Sequence, residues 1–169
     1  MSTKVYYSEN DIKGFVQSIA RTMSIDMFRP DYIVGLTRGG LIPATMLSHY
    51  LDVPLHTLNV SLRDSETGPE SNLWMAEDAF GYSALPKKIL IVDDINDSGA
   101  TLKWIKEDWP AGCFPTGERW NEVWHNNVKF ATLINNEASE FKNVDYVGKH
   151  INKFENPEWC VFPWENWWE

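Results

Sequence analysis

A continuous apolar run opening at Lys88 and closing on Ile89-Leu90-Ile91-Val92 meets Asp93-Asp94, then the small polar turn Asn96-Asp97-Ser98-Gly99-Ala100-Thr101. Apolar residues in unbroken succession belong to a strand buried on both faces, which confines the chain to a mainly parallel sheet covered by helices. Two adjacent carboxylates at the end of such a strand are costly unless something occupies the crevice beyond it. The turn that follows is built for a helix start, with Ser98 or Thr101 opening a helix through Trp109.

The rest of the chain repeats this alternation. Ser8 with Glu9, Asn10 and Asp11 marks a helix start. Ile12, Phe15, Val16, Ile19, Ala20 and Met23 then share one helical face, and Pro30 closes the segment. Tyr32 to Leu36 reads as a short strand, Thr37-Arg38-Gly39-Gly40 as a turn, and Leu41 to Leu51 as a helix with Pro43 in its first turn. Leu55 to Leu62 reads as a strand, Lys129 to Ile134 as another, and Val144 to Val147 as a further one. Residues 63–87 have no clear period and read as a long mobile loop with room for one short helix. Residues 110–127 form an insertion containing Gly, Pro and Trp. Strands alternating with helices define an α/β class in which ligands sit beyond the carboxyl ends of the strands. The turns after Leu36 and after Val92 both lie at such ends, so one crevice is expected.

Composition narrows the function. With 169 residues the expectation is one domain over 1–169. A formal charge of −9 argues against nucleic acid as the partner, because phosphate backbones select basic faces. The amino terminus carries no apolar leader, and no run of 18 apolar residues occurs, so a cytoplasmic protein without a membrane partner is expected. Cys113 and Cys160 fit reduced thiols, and four histidines without ligand spacing argue against a His/Cys metal site.

Chemistry concentrates in Asp93 to Thr101. Backbone N–H groups from Ser98 to Thr101 would converge on an anion at a helix amino terminus, and the two hydroxyls add donors. Gly99 allows close backbone approach. Asp93 and Asp94 suit acceptance from vicinal sugar hydroxyls. The same pattern also serves as a plain helix cap after a strand. A P-loop is excluded by its missing lysine.

Val92 to Leu102 as a whole resembles the phosphoribosyl pyrophosphate signature of type I phosphoribosyltransferases. Val34-Gly35-Leu36-Thr37-Arg38-Gly39-Gly40-Leu41-Ile42-Pro43-Ala44 is similar to that family's pyrophosphate loop, and Leu51-Asp52-Val53-Pro54 to the step that follows it. Lys129-Phe130-Ala131-Thr132-Leu133 and Trp159-Cys160-Val161-Phe162-Pro163-Trp164-Glu165 resemble the xanthine-guanine (6-oxopurine) branch. The resemblance implies the type I phosphoribosyltransferase fold, with a largely parallel sheet, flanking helices and a small hood from about 135–169. It implies Mg²⁺-dependent transfer of ribose 5-phosphate from phosphoribosyl pyrophosphate to a purine-like base. It also implies a homo-oligomer, a dimer or tetramer. A regulator of the same fold, sensing the sugar phosphate without turnover, is the alternative.

Roles follow by matching positions. The resemblance places Asp93 and Asp94 on the ribose hydroxyls, with Asp94 near the metal, and wraps Asp97, Ser98, Gly99, Ala100 and Thr101 around the 5′-phosphate. Thr37, Arg38 and Gly39 would bind pyrophosphate, with a cis Thr37–Arg38 peptide. Arg38 would stabilise the leaving group, and Asp97 would contact a ring nitrogen as catalytic acid or base. Arg38 reads equally as an exposed turn residue and Asp97 as a cap. Trp159 would stack on the base, with Cys160 backbone at its edge; core or subunit packing is its other reading. Glu165 would complete the metal or base shell, or lie in solvent. Where the branch carries a lysine that contacts the 6-oxo group, this chain has Asn136, which leaves the acceptor base open.

Overall fold

Four fully buried residues, Ile89, Leu90, Ile91 and Val92, run through the middle of the sheet in the computed structural model. The structure describes residues 2–60, 73–82, 84–113 and 118–169. Its elements in chain order are β1 (Thr3–Tyr6), α1 (Glu9–Ile25), β2 (Tyr32–Thr37), α2 (Leu41–Leu51), β3 (Leu55–Asn59) and α3 (Leu73–Phe80). Then come β4 (Ile89–Asn96), α4 (Ala100–Ala111), a 3-10 turn (Glu118–Glu122), β5 (Val128–Asn136), β6 (Tyr146–Ile151) and β7 (Glu158–Val161).

A five-stranded parallel sheet has the order β3-β2-β4-β5-β6, and β1 pairs with β7 in a separate parallel ribbon. From β2 the chain moves outward to β3, and from β4 it moves the opposite way. The order therefore reverses between β2 and β4, where an open parallel sheet leaves its binding crevice. Helix α1 begins in a reciprocal cap: Ser8 Oγ accepts from Asp11 N at 3.0 Å, and Asp11 Oδ2 accepts from Ser8 N at 2.8 Å. Its buried stripe is Ile12, Val16, Ile19 and Met23; Phe15 and Ala20 sit at its margin. The helix stops at Ile25, ahead of Pro30, and Met27 turns the chain at φ 54°.

Two apolar layers cover the sheet. Ile33, Leu90, Val92, Ala131 and Leu133 face α1, α2 and the β1–β7 ribbon. Val34, Ile91, Phe130 and Leu36 face a layer that includes Trp109, Trp120 and Trp124. The 110–127 insertion thus contributes Cys113, Trp120, Val123 and Trp124 to this core layer. Helix α4 continues through Pro110 to Ala111, and Trp120 stacks on Trp124 with centroids 5.3 Å apart.

Other boundaries move. β4 extends four residues beyond Val92, because Asp93, Ile95 and Asn96 pair with β5 at Thr132, Ile134 and Asn135. β3 ends at Asn59. β5 reaches Asn136, and the last sheet strand is Tyr146–Ile151 rather than Val144 to Val147. Within 63–87 the described part contains α3; residues 61–72 and 83 lie outside the described residues, as do 114–117 of the insertion. Of the segment 135–169, β6 is the edge strand of the main sheet and β7 joins β1 above it. Among the described residues no helix is long and apolar enough to cross a membrane.

Candidate active site

A cavity of about 310 Å³ opens at the carboxyl ends of β2 and β4. Asp93, Asp94 and Asp97 through Thr101 line one side, Thr37 and Val60 another, and Lys153, Trp159, Cys160, Phe162 and Glu165 the side toward β7. The two turns expected in one crevice meet there.

Each wall has a local cause. Gly99 adopts φ +93°, and a Cβ on it would lie 2.6 Å from Phe141 N and from Ser139 Oγ. Only a residue without a side chain brings the chain round that tightly. The reversal leaves the start of α4 without a side-chain cap at Gly99, although Ser98 Oγ accepts from Ala100 N at 3.3 Å. Beneath the turn, Asn96 Nδ2 donates to Asn135 Oδ1 and to Phe141 O, both at 2.9 Å. Ser139 Oγ donates to Asn96 Oδ1 at 3.1 Å, and Glu140 N donates to Ser98 O at 3.0 Å. A buried polar network with its members satisfied holds the loop in one shape. Gly99→Ala is expected to destabilise the protein by about 1–3 kcal/mol through backbone strain, read by denaturant unfolding. A loss below about 0.5 kcal/mol would show that the loop can relax.

The carboxylates sit at the cavity floor. Asp93 Oδ1 accepts from Asp94 N and Asp94 Oδ1 from Ile95 N, both at 2.8 Å. Burial, reinforced by the adjacent Asp94, pushes the Asp93 carboxyl well above its ordinary range. Burial likewise raises Asp94, and the Glu165 carboxylate adds to it against the hydrogen bonds that pull it down. Glu165 is tied back by accepting from Phe162 N at 2.9 Å. Gly39 lies against Asp94, since a Cβ there would collide with the Asp94 carboxylate. The Thr37–Arg38 peptide is cis, as the resemblance implied. Arg38 is exposed on this turn; Thr37 lines the cavity, while Arg38 and Gly39 stand outside its lining. Among the described residues no group of three or more His, Cys, Asp or Glu is arranged to hold a metal ion. The carboxylate pair nevertheless offers the hard oxygen donors that Mg²⁺ favours, and that ion keeps most of its shell in water and substrate oxygens.

Asn136, expected at the edge of the base, lies outside the cavity lining. It is buried at the end of β5, where its Nδ2 donates to Asp97 O at 3.1 Å and its Oδ1 accepts from Ala138 N and Lys153 N. Its Nδ2 also approaches Asp97 Oδ1 at 3.4 Å, so the amide is occupied by Asp97 and the surrounding backbone. Trp159 does line the cavity and is half exposed, and Cys160 lines it from β7. Lys153, which no motif marked, enters the cavity with Nζ 3.0 Å from Asp97 Oδ1 and 5.7 Å from the Trp159 ring centroid. Its only sequence signal was a lysine six residues before the tail tryptophan.

Residues 3–165 match the phosphoribosyl transferase domain family, so the chain belongs to it and is a phosphoribosyltransferase. Its relatives carry names from the 6-oxopurine branch. The hypoxanthine-guanine phosphoribosyltransferase of Schizosaccharomyces pombe is 25% identical, over 96% of this chain and 89% of that protein. The xanthine-guanine phosphoribosyltransferase of Cereibacter sphaeroides is 29% identical, over 79% of this chain and 68% of that one. Among solved structures, a purine phosphoribosyltransferase from Pyrococcus horikoshii is 29% identical with a TM-score of 0.66, over 96% of this chain and 94% of that one.

Proposed function

We propose that this phosphoribosyltransferase transfers ribose 5-phosphate from phosphoribosyl pyrophosphate to a purine-type base in the presence of Mg²⁺, releasing pyrophosphate. The observation that carries this reading is the convergence on one cavity of a helix amino terminus without a side-chain cap at Gly99, two part-buried carboxylates and the Trp159 ring. An anion, a polyhydroxylated ring and a flat heterocycle are what those three surfaces accommodate. The names of the relatives agree with a purine acceptor.

In this reading the N–H groups of Ser98 to Thr101 hold the 5′-phosphate. Asp93 and Asp94 accept from the 2′- and 3′-hydroxyls. The anomeric C–O bond to pyrophosphate breaks as the C–N bond to the base forms, so positive charge grows on the sugar ring and negative charge on the leaving group. The two carboxylates would offset the first, and Arg38, on its exposed turn, would offset the second. Asp94 would hold Mg²⁺, which supplies charge neutralisation at the pyrophosphate when bound. Asp97, 3.0 Å from Lys153, is placed to take the proton that the base nitrogen loses.

Pyrophosphate release measured across a panel of purine and pyrimidine bases tests the reading. Turnover is expected with at least one purine, and its absence for every base would overturn the assignment. Arg38→Ala is expected to lower kcat/KM by about 10²–10³, the usual consequence of removing one charge-stabilising donor. Near-normal turnover in that variant would make Arg38 a surface residue.

A further inference from the structure

Outside the cavity lining, three elements bring a lysine, a histidine and an aspartate into line. Lys106 comes from the middle of α4, His125 from the turn before β5, and Asp145 from the position just before β6. The Asp145 carboxylate oxygens stand 3.1 and 3.0 Å from His125 Nδ1, and Oδ2 also accepts from Phe130 N at 2.8 Å. An ionised carboxylate only accepts, so Nδ1 carries its hydrogen and Nε2 is left facing Lys106, whose Nζ is 3.5 Å away. The ring is fixed as well as aimed. His125 sits at φ 64°, its backbone N–H donates to Val128 O at 2.7 Å, and its side chain is 25% exposed.

A lysine kept only for an ion pair would reach the carboxylate itself; here an imidazole is interposed between the two. Lys106 is partly exposed and lies over the Trp124 and Phe141 rings, 5.9 and 5.5 Å from their centroids. Burial pushes its ammonium below the ordinary lysine range, although the Asp145 carboxylate pulls the other way. We propose that Lys106 is an activated amine, a site of acylation by thioesters, with His125 as its base and Asp145 orienting the imidazole. The ammonium gives one proton to His125 Nε2, which passes it to solvent, and the freed Nζ lone pair attacks the thioester carbonyl carbon. As the C–N bond forms and the C–S bond breaks, a second N–H proton leaves with the departing thiolate. Ammonium and thioester thus become amide, thiol and one released proton, with nothing oxidised or reduced. Asp145 offsets the charge on the imidazolium while it holds its proton. Lys103, one turn earlier on the same helix, has a carboxylate rather than an imidazole as its partner: its side chain is 58% exposed and its Nζ is 3.9 Å from Glu140 Oε2.

The two lysines make an internal comparison. The wild-type chain is incubated with acetyl-coenzyme A near neutral pH, and acetylation at each lysine is followed in time by peptide mass mapping. Lys106 should react about 10-fold or more faster than the more exposed Lys103, a modest share of what a positioned base contributes. His125→Asn, a residue that also tolerates positive φ, and Asp145→Asn should each slow Lys106 about 10-fold and leave Lys103 unchanged. Far-UV circular dichroism confirms that each variant is folded. Should a variant not fold, the wild-type comparison decides alone: Lys106 reacting no faster than Lys103 overturns the proposal. An unchanged Lys106 rate in either folded variant overturns it as well, since the amine would then owe nothing to its neighbours. None of these readouts requires turnover, so each outcome is independent of the transferase reading.

Discussion

Asp93→Asn combined with Asp94→Asn is expected to raise the melting temperature of the ligand-free protein near neutral pH while abolishing its response to phosphoribosyl pyrophosphate. Both carboxyls are pushed above their ordinary value of 3.8, Asp93 by burial and by Asp94, and Asp94 chiefly by burial. The folded state therefore holds these protons more tightly than the unfolded chain. Stability falls as pH climbs from 3.8 through the raised folded values, and the full penalty stands at higher pH. Asparagine removes the charges and keeps an oxygen that can accept from Asp94 N or Ile95 N. The advantage of the variant should thus grow as pH rises above 3.8 and disappear below it. Each kcal/mol gained corresponds to about 2–4 °C in a domain of this size. Ligand at a hundred times its Kd stabilises wild type by about 2.7 kcal/mol, or about 5–11 °C. Scanning calorimetry with and without ligand reads both effects. A double variant that melts lower at pH 7, or keeps the ligand shift, would reject the placement of sugar hydroxyls on this pair.

The second large effect lies at Asn136. Removing its amide by Asn136→Ala leaves the Asp97 carbonyl and the Lys153 N–H without their partner at the end of β5. At about 1–3 kcal/mol for each buried group left unpaired, the loss should be about 2–6 kcal/mol by denaturant unfolding. Activity should fall along with stability, because Asp97 and Lys153, which both line the cavity, lose their shared anchor. Asn136→Lys should be worse, since it drives a charge into a slot that fits an amide and cannot accept from Lys153 N. Restoring a lysine at the family's position would therefore not restore a 6-oxo donor here. A stable Asn136→Lys protein with raised guanine turnover would contradict this account.

Some of this was legible in one dimension because its cause is local. Ile89 to Val92 could only be a strand buried on both faces, and Ser8 with Asp11 could only begin a helix, since the groups involved lie within a turn of one another. The turn from Asp97 to Thr101 announced itself through small residues and hydroxyls. The ribbon of β1 with β7 was not legible: Thr3–Tyr6 is mostly exposed and does not alternate, and its partner lies some 150 residues away. The place of the insertion tryptophans was not legible either: Trp120 stacks on Trp124 and Trp124 on Phe130, a strand residue that only the fold brings to them.

By itself the sequence determined the α/β alternation, the small-residue turn at the start of α4 and the paired carboxylates before it, because strand burial and helix initiation are set by neighbouring residues. Which further groups line the cavity beside that turn was decided only by tertiary structure. β5 carries Asn136 beneath the Asp97 turn, and the turn after β6 brings Lys153 over it. Their roles depend on which atoms remain unspent once the backbone has taken its hydrogen bonds, and that depends on chain segments distant in sequence.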